Sequence, residues 1–235
     1  AEGVSVTGSL KWETAQITDT IPGAIELARA MGLRIDPKAP ARMEPESQAR
    51  GSSGGSANTI TAPAPEAHEP SSQMAKNPIW VCGSTGPGEE EIILRAFTEI
   101  RDPKWNMQRL QLVIVPRKPE RFDEVAALIE KQGFCCIRRS ASPDGTSRNH
   151  DPHAVQLVDT MGELRKVYSL AHVVFVGRSL VPMGGSDVME VAALAKPIIV
   201  GPYTSNFSDA VGQLAYGNAI CSTEVNATHG PGVYL

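Results

Sequence analysis

The chain has 235 residues, 41% of them hydrophobic, and a formal net charge of −4. That content supplies a substantial core, and the acidic balance excludes a nucleic-acid binder that relies on a strongly basic surface. Cys82, Cys135, Cys136 and Cys221 show no C-x-x-C spacing, so neither a zinc site nor a disulfide framework is expected, and they read as reduced core thiols of a cytosolic protein. No apolar run reaches the roughly 18 residues of a membrane span, and no signal-peptide start is seen. The first residue is not Met, and a fragment of a longer protein is expected.

Gly3 to Trp12 alternates apolar and polar residues as a short strand does, and a helix follows from about Ile21 to Met31, ahead of Gly32. From about Asp36 to Asn77 the chain is rich in Pro, Gly, Ser and Ala with almost no large apolar side chains. Such a stretch buries too little surface to offset its chain entropy and is expected to be a disordered linker or insertion. From Pro78 a regular alternation begins. Strands are expected at Ile79 to Ser84, Leu110 to Pro116, Phe134 to Ser140, Ala154 to Asp159, His172 to Gly177 and Lys196 to Gly201. Helices are expected between them: Glu89 to Arg101, Glu120 to Gly133, Met161 to Ala171 and Asp187 to Ala195, with a polar loop from Asp144 to Pro152. Short continuous apolar strands alternating with amphipathic helices predict an α/β fold with a doubly wound, parallel, Rossmann-like sheet. Ligands of such sheets bind outside the carboxyl ends of the strands. GSTGPG, PRKPER, DTMGEL, GRSL with GGSD, and GPYTSNF all fall on that edge.

Each piece has a functional and a structural reading. Gly83, Gly86 and Gly88 lie between the first strand and its helix, as in a dinucleotide turn, but the order differs from the usual fingerprint. Glu89 to Glu91 would repel a pyrophosphate there, and a tight turn whose acids complement the helix dipole is the alternative. Pro116 and Arg117 place a guanidinium just past a buried strand, where its planar fork suits a phosphate or carboxylate; a surface salt bridge is the other reading. Arg121, four residues on, is expected to pair with Glu120 or Asp123. At DTMGEL, Asp159 or Thr160 caps a helix and Glu163 completes a capping box, while backbone groups around Met161 and Gly162 suit the edge of a base. Gly184 and Gly185 permit close approach, and Ser186 and Asp187 are good N-cap residues for a helix start that attracts anions. Glu190, one turn further, only accepts hydrogen bonds, as a ribose diol would require; its structural alternative is a salt bridge to Arg178 or Lys196.

GSTGPGEEE, LVIVPRKPERFDEV, DTMGEL, LAHVVFVGRSLVPMGGSDVMEVAALAKPIIVGP and NF, in this order and spacing over about Ile79 to Phe207, resemble the 3-deoxy-D-manno-octulosonic acid (Kdo) transferases of lipid A assembly. VTGSLKW near the start resembles the end of that family's first domain. The resemblance implies the C-terminal half of a B-type glycosyltransferase fold. Residues 1–35 would then be the end of the first domain and an interdomain segment, 36–77 the insertion, and 78–235 a truncated donor-binding domain. It implies CMP contacts at Pro116, Arg117, Met161, Gly162, Glu163, Asp187, Val188, Met189 and Glu190, with Gly184, Gly185 and Ser186 shaping the loop. Lys11 matches a lysine that stabilises charge in the reaction. The family usually reads GG-H-N-P-L-E where this chain has Gly184, Gly185, Ser186, Asp187, Val188, Met189 and Glu190, so Asp187 adds negative charge beside a phosphate.

The implied activity is inverting transfer of Kdo from CMP-Kdo to a lipid A precursor, on the cytoplasmic side of the bacterial inner membrane. No cofactor or metal is expected, in keeping with the lack of a D-x-D sequence. The general base and the membrane-contacting helices belong to the absent first domain, so the fragment is expected to be inactive alone. Two alternatives stay open: a non-catalytic nucleotide-binding paralogue altered at Ser186 and Asp187, and an NADP-dependent oxidoreductase built on GSTGPG.

Overall fold

The computed structural model describes residues 21–35, 77–141, 154–216 and 220–222. The expected strand at Gly3 to Trp12, residue Lys11, the segment 36–76 and the loop from Asp144 to Pro152 lie outside the described residues.

The elements, in chain order, are α1 (Ala24–Ala30), β1 (Ile79–Thr85), α2 (Glu89–Ile100), β2 (Gln111–Pro116), α3 (Phe122–Lys131), β3 (Cys135–Arg138), β4 (Ala154–Leu157), α4 (Leu164–Leu170), β5 (Val173–Val176), α5 (Met189–Ala192), β6 (Ile198–Val200), α6 (Ser208–Tyr216) and β7 (Ile220–Ser222). The strands form one sheet in the order β3-β4-β2-β1-β5-β6-β7, with every pair parallel. From β1 the chain moves to β2 and on to the edge strand β3, comes back to insert β4 between β3 and β2, and then crosses β1 to β5. The topological switch point therefore lies between β1 and β5, where ligands of open α/β sheets bind.

Strand alternation divides the core into two layers. Ile79 and Val81 of β1, with Val113, Val174 and Ile198, face Leu27 and Ala28 of α1, Val167 and Tyr168 of α4 and Val191 of α5. Trp80 and Cys82, with Leu112, Ile114 and Phe175, face Ile93, Leu94 and Phe97 of α2 and Val125 and Ile129 of α3. Both faces are covered, which is why these strands read as continuous apolar runs. Burial also pushes the Cys82 thiol well up.

The sheet has one strand more than expected. Strand β7 and its preceding helix α6 lie past the stretch that showed regular alternation, yet Ala210, Val211 and Leu214 of α6 pack against the core. In the other direction, the helix expected over Asp187 to Ala195 shrinks to four residues. Pro197 disfavours helix at Lys196, and the chain must reverse to enter β6 at Ile198, so Ala195 takes φ 50°.

Helix α1 belongs to this core, and its C-terminal extension is clasped to the sheet. The Gln111 amide accepts the Arg34 N–H at 2.8 Å and donates to the Arg34 carbonyl at 3.0 Å and to that of Asn77 at 3.3 Å. One side chain at the start of β2 thus holds together the two points where the Pro- and Ser-rich segment leaves and rejoins the unit, at the end of the sheet opposite the strand carboxyl ends. Replacing residues 36–76 by a short Gly-Ser linker is expected to move the thermal midpoint by less than about 5 °C; a larger fall in calorimetry would show that the segment packs.

Candidate functional site

The switch point is built by close backbone approach. The Gly177 N–H, just past β5, donates to the Gly83 carbonyl at 2.8 Å, and a Cβ on Gly177 would lie 2.6 Å from the Ser84 carbonyl oxygen. The β1–β2 register slips between Gly83 and Thr85, so Ser84 bulges out with φ 58°. Arg178, one residue beyond Gly177, also sits at positive φ, 62°. Non-glycine residues in this region are uncommon and cost free energy.

Glu89, wholly buried at the start of α2, holds this arrangement. One carboxylate oxygen accepts the Ser179 and Leu180 N–H groups, both at 2.8 Å. The other accepts Arg178 N–H at 2.6 Å and Gly86 N–H at 2.8 Å. Three successive amides after β5 form an anion-binding concavity, and a side chain of the protein fills it. This corrects the dinucleotide option for the glycine turn: Gly86 N–H is committed to Glu89, so a pyrophosphate would find that donor taken. Nor does Glu89 merely complement its own helix dipole, since it reaches across to β5.

Glu90 is equally buried and pairs with Arg121 through two hydrogen bonds of 2.7 and 3.1 Å, while Arg121 also meets Glu124 at 3.0 Å. The pairing with Glu120 or Asp123 expected from the sequence does not form. The Glu90 carboxylate holds the Arg121 guanidinium protonated well beyond its usual range. Arg121 thus binds α3 to α2 and is not available to a ligand.

The expected ligand groups sit around this frame. Pro116 is buried beside Thr85, and Arg117 N–H donates to the Thr85 carbonyl at 3.0 Å. The Arg117 side chain is exposed, and among the described residues no ion pair engages it, so the surface-salt-bridge alternative is not realised.

In DTMGEL the capping box does not form. Helix α4 begins only at Leu164, with Glu163 itself at the cap. Asp159 is buried and accepts from Ser140 N–H at 2.7 Å, Ser140 hydroxyl at 2.5 Å and Arg138 Nε at 2.6 Å. Burial opposes its ionisation, but the Ser140 and Arg138 donors win and hold its carboxyl below the usual range. Glu163 accepts the Thr160 hydroxyl and pairs with Arg139 at 3.2 Å. With both acids tied down, Met161 stands 71% exposed at the tip and Gly162 turns with φ 80°. The tip is what the turn offers a ligand.

In the GGSD loop Gly184 and Gly185 both have φ near 80°. Gly185 N–H donates to the Arg178 carbonyl at 2.7 Å, and Asn206, whose side chain packs against Gly184, donates its backbone N–H to the Gly184 carbonyl at 2.9 Å. Asp187 Oδ1 accepts the Met189 N–H at 3.0 Å, so this acid does cap. Val188 and Met189 are buried with the core, leaving only their backbone for a ligand, and Ser186 is also buried. Glu190 is exposed, and no salt bridge to Arg178 or Lys196 forms among the described residues. Helix α5, at four residues, contributes little dipole; the loop is an anion site only with help from cations. An open depression of about 380 Å³ lined by Pro182, Gly184, Pro202, Tyr203, Thr204 and Ser205 adjoins it.

Sequence reasoning missed the Tyr168 phenol, which packs where Gly83 has no Cβ, beneath the same edge. Its pKa is raised by burial and further by the Glu190 charge. The sequence signal was the glycine in the middle of a buried strand.

A parallel doubly wound sheet with its loops gathered at the switch point defines a Rossmann-like α/β domain, the kind of domain that forms each half of a B-type glycosyltransferase fold. No family model matches the chain. It is 39% identical over 151 residues to the 3-deoxy-D-manno-octulosonic acid transferase of Haemophilus influenzae, covering 64% of this chain and 33% of that protein. The transferase of Bordetella pertussis is 37% identical over 134 residues, 57% of this chain and 30% of that one. The crystal structure of the C-terminal CMP-Kdo binding domain of WaaA from Acinetobacter baumannii is similar at 34% identity and a TM-score of 0.54, over 63% of this chain and 74% of that one. The chain belongs to the 3-deoxy-D-manno-octulosonic acid transferase family and corresponds to its C-terminal domain. It spans about a third of the length of the curated relatives it matches.

Glu89→Gln tests the frame. Whichever way the amide turns, its NH2 faces two backbone N–H groups, so the variant is expected to lose about 3 kcal/mol, a fall of roughly 6–12 °C in thermal midpoint. A fall under about 2 °C in a thermal melt would show that Glu89 does not hold the switch point.

Proposed function

We propose that this chain is the donor-binding part of a Kdo transferase that takes Kdo from CMP-Kdo and passes it, with inversion, to a lipid A precursor. The reading is supported above all by one observation. At the carboxyl edge of the sheet, Arg117 and Glu190 stand exposed and without an ion pair among the described residues, within a domain similar to one that binds CMP-Kdo.

The chemistry follows from the side chains. Arg117 presents two parallel donors to the CMP phosphate and offsets the charge that grows on it as the glycosidic bond breaks. Glu190 accepts hydrogen bonds from the ribose hydroxyls, and the Met161 to Gly162 tip offers backbone groups to the base. Asp187 keeps its carboxylate on the Met189 N–H and puts a negative charge near the phosphate, which weakens binding without blocking it. Lys11 supplies a further positive charge. The acceptor hydroxyl is deprotonated by a base of the preceding domain, so the chain alone is inactive. The reaction runs without cofactor or metal at the cytoplasmic face of the inner membrane, which the preceding domain contacts.

Calorimetric titration with CMP tests the reading. Arg117→Ala is expected to weaken CMP binding by roughly tenfold to a hundredfold with an unchanged thermal midpoint. NADP is expected not to bind. Unchanged CMP affinity in the variant, or NADP binding without CMP binding, would overturn the assignment.

A further inference from the structure

We infer that Arg178 is a second cationic residue of the donor site, binding the nucleotide phosphate alongside Arg117. The inference rests on the reading of this edge as a nucleotide site.

The backbone of Arg178 does structural work that needs no side chain. Its N–H donates to Glu89 at 2.6 Å and its carbonyl accepts the Gly185 N–H at 2.7 Å, so this residue couples the glycine turn after β1 to the GGSD loop. Glycine would make both bonds and would take φ 62° freely. Arginine there adds strain, and strain of this kind is retained where the side chain is used.

The guanidinium is placed for use. The side chain runs from Gly86, where a Cβ would meet Arg178 Cγ at 3.2 Å, toward the loop ahead of Gly184, where Nη2 lies 3.4 Å from the Met183 carbonyl. That bond is at the long limit of hydrogen bonding, and no carboxylate pairs with Arg178 among the described residues. Arg117 reaches the same glycine turn from the other side through Thr85. Two guanidinium-bearing residues therefore flank one turn at the switch point.

Among the described residues, the backbone and helix start of this edge offer a phosphate little positive charge. The amides of Gly86, Arg178, Ser179 and Leu180 are filled by Glu89, α5 is too short to supply a helix dipole, and Asp187 and Glu190 are both acidic. A phosphate placed among these acids needs more than one cation, and a guanidinium fork is well matched to it.

The test is Arg178→Gly in the full chain, titrated with CMP and with cytidine, which lacks the phosphate. The expected result is a loss of about tenfold or more in CMP affinity, unchanged cytidine affinity, and a thermal midpoint that is unchanged or higher. If wild type binds CMP and the variant binds it equally well, Arg178 does not touch the phosphate. If CMP and cytidine weaken alike, or the midpoint falls, the side chain is structural and the inference is overturned. Failure of the wild-type chain to bind CMP at all would instead remove the nucleotide reading, and this inference with it.

Discussion

One buried carboxylate fixes the geometry at the centre of this domain. Glu89 sits where a nucleotide phosphate would be expected in many doubly wound folds, in a cup of backbone N–H groups at the switch point, and takes four of them. A buried charge is tolerable only when its hydrogen-bonding capacity is met, and four donors meet it. The consequence reaches well beyond the cup. Positive φ at Ser84 and Arg178, the contact of Gly177 with Gly83, and the attachment of the Gly185 amide to the Arg178 carbonyl all belong to one locked corner. With the cup closed, the surface that remains for an anion is lined by side chains.

A second layer of paired charges carries that corner outward. The Glu90 to Arg121 pair joins the two helices that cover one face of the sheet, and the Asp159, Ser140 and Arg138 network anchors the turn whose tip is Met161 and Gly162. Acids that look functional in the sequence are spent on holding loops still. Groups left exposed at this edge include a guanidinium beside β2, a carboxylate on α5 and, at the turn tip between pinned acids, the Met161 thioether. Rigid support of a small exposed set is what a binding site requires.

Much of this was legible in the sequence, for identifiable reasons. Runs such as IWVCGS and LQLVIVP could only be strands buried on both faces, and their alternation with amphipathic helices dictated the parallel sheet. The ligand edge follows from the sheet, so the place of Arg117, Gly184, Gly185 and Glu190 along it is already set by the order of strands and helices in the sequence. What was not legible depended on partners far apart in the chain. Glu89 finds Arg178, Ser179 and Leu180 some ninety residues on, and no local pattern tells a capping acid from one that turns into a distant cup. Likewise the DTMGE spacing fits a capping box, but Arg138, Arg139 and Ser140 compete for the same acids and win. Pro197 is the local sign of the brevity of α5, set against the run of good helix formers ahead of it.

Amide hydrogen exchange at Gly86, Ser179 and Leu180, followed by NMR with and without CMP, tests the central claim most directly. If Glu89 fills the cup permanently, these three amides exchange slowly in the free chain and equally slowly with CMP bound. If they exchange rapidly in the free chain and become protected only when CMP is added, the cup belongs to the ligand phosphate and the account of this site is wrong.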